Sequence, residues 1–155
     1  MDDKFVVTTK SDEETIELAQ NIESEKFPNM VICLNGDLGS GKTVFTKGFA
    51  DAMAIEEITS PTFNIIKEYY GELPLYHMDV YRTGGKVEEL GLEEYYHKNG
   101  VTIIEWAEMI EDYLPEERLE ITFKITGENT RVIVLKPIGE KYVNLCEAAL
   151  WQYFL

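Results

Sequence analysis

Asn35-Gly36-Asp37-Leu38-Gly39-Ser40-Gly41-Lys42-Thr43 fits the phosphate-binding pattern G-x-x-x-x-G-K-[ST]. A pattern this short gains meaning from its surroundings, which must be a buried strand before it and a helix after it. Ahead of it, Met30-Val31-Ile32-Cys33-Leu34 is a continuous apolar run with β-branched members, suited to a strand covered on both faces of a parallel sheet. Behind it, Val44, Phe45, Phe49, Ala52 and Met53 recur at helical spacing, with Lys47 and Asp51 between them. Strand, glycine-rich turn and helix therefore follow in the order that a nucleoside triphosphate site requires.

The chemistry of the segment follows from its residue types. Glycines at 36, 39 and 41 let main-chain N–H groups close around phosphate oxygens. A helix starting near Lys42 adds unpaired amides and the positive end of its dipole. Lys42 is expected to reach the β- and γ-phosphates, and the Thr43 hydroxyl to ligate the accompanying magnesium ion. Asp37, Leu38, Gly39, Ser40, Gly41, Lys42 and Thr43 together form the expected phosphate cradle.

Composition narrows the partners. With 155 residues, of which 45% are apolar, the chain is expected to form one domain, 1–155, around one substantial core. Its 29 acidic and 14 basic side chains give a formal charge of −15, which opposes direct binding to nucleic-acid phosphate and suits a basic protein partner. Cys33 and Cys146 lack the spacing of a zinc site or disulfide framework and read as buried fillers. Met1-Asp2-Asp3-Lys4 does not resemble a secretory signal, and no apolar run approaches the ~20 residues of a membrane span. The expected location is cytoplasmic.

Outward from the loop, residues 5–9 read as a first strand, and Ser11 with Glu14 resembles a capping box opening a helix to about Lys26. After the central helix, residues 63–70 and 75–81 read as two strands joined by Gly71-Glu72-Leu73-Pro74. A short acidic helix is expected over 87–97 and a β-branched strand over 101–104. Residues 121–125 and 132–135 flank Gly127-Glu128-Asn129-Thr130 as a second hairpin, and a helix over about 141–153 closes the chain. The fold class is α/β: a three-layer fold like that of the phosphate-loop NTPases, with a mixed, largely parallel central sheet and antiparallel hairpins.

A phosphate loop needs a second acidic element at a neighbouring strand end, to hold magnesium and place water. Asp79 and Glu105 both end apolar runs, where open α/β sheets bind their ligands. Ser60 and Thr62, beside Pro61, can sense the γ-phosphate or metal, or form an ordinary Ser-Pro turn. Trp106 reads as a core or base-stacking aromatic. His77, alternating with apolar neighbours, reads as a satisfied strand histidine, and His97 as an exposed helical one.

Gly36 to Thr43, Ser60-Pro61-Thr62-Phe63, Tyr76-His77-Met78-Asp79-Val80-Tyr81-Arg82 and Glu105-Trp106, in this order, resemble the bacterial TsaE family, also called YjeE. The resemblance spans residues 5 to 137. It implies a Mg2+-dependent ATPase of weak intrinsic, partner-stimulated activity. Such a protein assists formation of threonylcarbamoyl-adenosine (t6A) at position 37 of tRNAs reading ANN codons, by acting on a complex of TsaB and TsaD and touching tRNA only indirectly. Carried over by motif, Gly39 to Lys42 hold the phosphates of ATP, Thr43 and Glu105 contact magnesium, and Asp79 supports the metal or its water. Lys42, Asp79, Glu105 and Thr62 form the implied catalytic set, with Trp106 beside the metal carboxylate. Ser40 stands where the family often has alanine, and Thr9 and Ser11 are candidates for the adenine pocket.

Two other functions share the loop. A small-molecule kinase closes an arginine-rich lid over the nucleotide, whereas this chain has only the scattered Arg82, Arg118 and Arg131. A nucleotide sensor binds without activating water. In the ATPase reading, Arg82 or Arg131, or a partner's cation, stabilises the transferring charge.

Overall fold

The computed structural model describes residues 4–55 and 65–155. The first strand, β1 (Phe5–Thr9), leads into helix α1 (Asp12–Glu23). Ser11 caps that helix, its backbone extended and its hydroxyl accepting the Glu14 N–H at 3.2 Å. Glu14 reaches back to the Lys10 N–H at 3.0 Å, one residue before the reciprocal donor of a capping box. The phosphate loop joins β2 (Val31–Gly36) to α2 (Lys42–Ala52). Then come β3 (Ile66–Tyr69), β4 (Leu75–Asp79), the single-turn α3 (Leu92–Tyr95), β5 (Val101–Glu105), β6 (Arg118–Ile125), β7 (Arg131–Ile138) and α4 (Glu140–Leu150).

The strands form one seven-stranded sheet in the order β1-β7-β6-β2-β5-β4-β3. The sheet is mixed, as expected. Its centre is parallel, with β2 between β6 and β5, and β5 also parallel to β4. Both flanks are antiparallel: β3 on β4 at one edge, and β6, β7 and β1 at the other. Side chains of β2 alternate between two cores, Ile32 and Leu34 entering one and Val31 and Cys33 the other. The first core lies under α1, α2 and α4, with Leu18, Phe45, Phe49 and Leu145 packed on Ile103 and Ile121. The second gathers Met78, Tyr96, Ile104 and Ile110 on the opposite face. Wholly buried side chains such as Phe45 and Phe49 contribute about 1.5–3 kcal/mol each, so the helix behind the loop is firmly seated.

Several sequence expectations change in detail: α1, expected to about Lys26, ends at Glu23, and the closing helix, expected over about 141–153, ends at Leu150 and passes into a 3-10 segment, Trp151–Phe154. The strand expected over 75–81 stops at Asp79, because its carboxylate accepts the Tyr81 N–H at 3.1 Å and the chain turns into a 3-10 segment, Tyr81–Thr83. Of the strand expected over 63–70, β3 covers Ile66–Tyr69, and residues 63 and 64 lie outside the described residues. The acidic helix expected over 87–97 is divided at Gly91 (φ 69°) into a 3-10 turn, Glu88–Leu90, and α3. Among the described residues no helix is long and apolar enough to cross a membrane.

Candidate functional site

The ends of β2, β4 and β5 meet the N-terminus of α2 at one open cavity of about 420 Å³, a volume within the range of small-ligand sites. It is lined by Gly39, Gly41, Lys42 and Thr43 of the loop and helix start, by Asp79, Glu105 and Trp106 from the strand ends, and by Asp12, Asn129 and Arg131. Gly41 caps α2 in a left-handed conformation (φ 114°), which a residue with a side chain rarely adopts.

Lys42 is 5% exposed. Its ammonium donates to the Gly36 carbonyl and stands 3.4 Å from the centre of the Trp106 ring, a cation–π contact. Burial lowers the Lys42 pKa below its usual value, opposed by Glu105, Glu108, Asp79 and Asp37. Trp106 is itself left-handed (φ 63°, ψ 36°), a conformation that costs about 1–3 kcal/mol. Its backbone N–H donates to the Leu34 carbonyl at 3.0 Å, and its ring centre lies 4.8 Å from that of Tyr81. This bend ends β5 and swings the indole over the lysine. Trp106 is half-buried, packs against the second core and covers the Lys42 ammonium.

Asp79 and Glu105 are register partners across the β4–β5 ladder, so the two carboxylates reach the cavity from adjacent strand ends. Burial raises the Asp79 pKa; the Tyr81 N–H opposes this, and Glu105 adds to it. Glu105 is nearly buried, and its Oε2 stands 2.5 Å from His77 Nε2. The other ring nitrogen, Nδ1, is buried without a hydrogen-bond partner among the described residues. His77 is therefore not the fully satisfied strand histidine expected from the sequence.

Magnesium takes oxygen ligands, keeps several waters, and needs only one or two carboxylates beside the phosphates. The Thr43 hydroxyl, Glu105 and Asp79 supply such an oxygen set at one cavity. The residues present therefore fit the ion.

The other candidates are placed as follows. Leu38 lines the cavity and Asp37 lies exposed at the loop tip. Ser40 is buried and its hydroxyl has no hydrogen-bond partner among the described residues. The hydroxyl of Thr9 pairs with that of Thr15 at 2.8 Å, and Ser11 caps α1. Both hydroxyls are engaged in holding β1 and α1, and the residue of this segment that lines the cavity is Asp12. Ser60 and Thr62 lie outside the described residues. Arg131 donates to the Ser40 carbonyl at 3.1 Å, to the Gly39 carbonyl at 3.2 Å and to carbonyls of the β6–β7 turn. It holds the phosphate loop to that hairpin rather than standing free as a mobile cation. The sequence reading missed Asp12, Asn129 and the clamping role of Arg131, which depend on pairings across the whole sheet. It also missed the His77–Glu105 bond, although the H-x-D spacing of His77 and Asp79 puts both on one strand face.

The family model of the threonylcarbamoyl adenosine biosynthesis protein TsaE matches residues 9–133. The chain is 51% identical to the tRNA threonylcarbamoyladenosine biosynthesis protein TsaE of Bacillus subtilis over 141 residues, 90% of this chain and 89% of the relative. It is 42% identical to the protein of that name from Treponema pallidum over 108 residues, covering 68% and 80%. The crystal structure of Bacillus subtilis YdiB superposes with a TM-score of 0.86 at 44% identity, covering 98% of this chain and 97% of that one. The match runs through the phosphate loop, both carboxylate-bearing strands and Trp106, and the chain belongs to the TsaE family of tRNA threonylcarbamoyladenosine biosynthesis proteins.

Proposed function

We propose that this protein binds and hydrolyses Mg-ATP as an accessory subunit in t6A formation on tRNA. It acts in the cytoplasm on a TsaB–TsaD complex and meets tRNA only through it. The observation that carries the reading is the convergence of Lys42, Thr43, Asp79 and Glu105 on one cavity from three separate strand ends. The loop amides and the α2 N-terminus bind the phosphates, and Lys42 leaves the Trp106 ring to meet them. Thr43 and Glu105 hold the magnesium ion, which when bound neutralises phosphate charge. Asp79, on the adjoining strand end, orients water toward the γ-phosphate, and Thr62 is assigned to the same step by family resemblance.

The kinase reading gains no support from the arginines. Arg131 is engaged by carbonyls of the phosphate loop and the hairpin turn, and Arg118 pairs with Glu120 at 2.7 Å. With Arg131 engaged, the cation that stabilises the transferring charge comes from exposed Arg82 or from the partner complex. Phosphate release from ATP is expected to be slow for the protein alone and to rise when TsaB and TsaD are added. Lys42→Ala and Glu105→Ala should each abolish the stimulated rate. Full activity of either variant, or fast turnover indifferent to the partners, overturns the proposal.

A further inference from the structure

We infer that His77 is a positioning residue for the metal carboxylate, its Nε2–H holding one oxygen of Glu105 and thereby fixing the orientation in which Glu105 meets magnesium. The inference rests on the Mg-ATP reading above.

The register of the sheet creates the contact. His77 lies opposite Ile103 and Asp79 opposite Glu105, so His77 and Glu105 are diagonal neighbours on one face, within reach of long side chains. Nε2 and Oε2 stand 2.5 Å apart. Both side chains are almost completely shielded, at 0% and 7% exposure. The proton position follows from the surroundings. Were the proton on Nδ1, it would be a buried donor with no acceptor, while the Nε2 lone pair would oppose a carboxylate oxygen. With the proton on Nε2, the bond to Glu105 is made and only an acceptor is left unpaired.

That arrangement does not suit a purely structural role. On this face β4 carries Leu75, which is wholly buried in the apolar core with Ile103. An aliphatic side chain at 77 would pack there without leaving a buried nitrogen unpaired. What the histidine adds is one directed hydrogen bond to the carboxylate assigned to the ion. Groups that orient metal ligands in this way typically change metal affinity about 10–100-fold when removed.

The test separates magnesium from nucleotide. Calorimetry with ADP in EDTA and in Mg2+ is run on the wild type, His77→Leu, His77→Asn and His77→Gln, with thermal unfolding of each. Glutamine places an amide N–H close to where Nε2 lies, whereas asparagine is too short. The wild type should bind ADP more tightly in Mg2+. His77→Leu and His77→Asn should lose about tenfold of that tightening while binding in EDTA changes less than twofold. His77→Gln should regain most of it. If His77→Asn and His77→Leu keep the wild-type tightening, the inference fails and the Mg-ATP reading stands. It fails equally if all three variants lose binding in EDTA together with thermal stability, since that marks a packing role. If the wild type binds no nucleotide in either buffer, the underlying reading falls and the inference with it.

Discussion

Gly36→Ala should unfold this protein far more easily than Gly39→Ala, although the two glycines sit three residues apart in the same loop. Gly36 ends β2 with φ +148°, and a Cβ there would meet Ser40 Oγ at 2.7 Å, the Phe123 carbonyl oxygen at 2.8 Å and Phe123 Cβ at 3.2 Å. The Phe123 backbone cannot retreat, because Gly36 is its partner in the β2–β6 ladder. Ser40 Oγ can rotate, but the residue is 1% exposed. Backbone strain of about 1–3 kcal/mol and overpacking of about 1–3 kcal/mol combine to about 3–4 kcal/mol. In a chain of this size each kcal/mol moves Tm by about 2–4 °C, so the midpoint should fall by about 10 °C. Gly39 is also left-handed (φ +79°), but a Cβ there meets nothing within 4 Å among the described residues, leaving a cost of only about 1 kcal/mol. Urea and thermal unfolding followed by circular dichroism measure both. A Gly36→Ala protein within about 1 kcal/mol of the wild type, or a Gly39→Ala protein equally damaged, refutes the geometry of the β2–loop junction.

Arg131→Lys should weaken ADP binding about tenfold, because an ammonium cannot span the Gly39 and Ser40 carbonyls as the guanidinium does; calorimetry with unchanged affinity would remove the clamp. With Trp151→Phe leaving Trp106 as the single indole, added nucleotide should give a saturable change in emission as Lys42 leaves the ring, and a flat titration contradicts that movement. Burial pushes the Cys33 and Cys146 thiols up to about 12, so a disulfide reagent at pH 8 should leave both unmodified until the protein is denatured; fast labelling of the native protein counts against their burial. The same shifts contribute to loss of stability at alkaline pH. Below pH 9 both states keep the thiol protons, but from there to about pH 12 the unfolded chain loses them first. Stability should therefore fall as pH rises, by up to about 1.4 kcal/mol per pH unit for each group, and urea midpoints that stay level from pH 9 to 11 argue against it.

Much of the architecture is written locally. The β-branched run Phe5 to Thr9, the apolar run into Asn35, the Ser11 cap and the helical spacing after Thr43 each specify an element from its own residues. The errors fall where a single side chain or glycine overrides propensity. The Asp79 carboxylate turns the chain at Tyr81, and Gly91 splits the acidic helix. Part of the site was legible for the same reason. Lys42 and Thr43 are covalently tied to the loop, and Asp79 and Glu105 stand at recognisable strand ends.

Sequence by itself determined the phosphate loop, its helix and the two carboxylate-bearing strands, because period, capping and turn chemistry act over a few neighbouring residues. Tertiary structure alone decided that β4 lies beside β5 with Asp79 opposite Glu105, that His77 reaches the same carboxylate, and that Trp106 covers Lys42. It also brought Arg131 onto a loop 91 residues away in the chain. Such contacts depend on strand order and register, which are settled only when both faces of the sheet bury their apolar side chains at once.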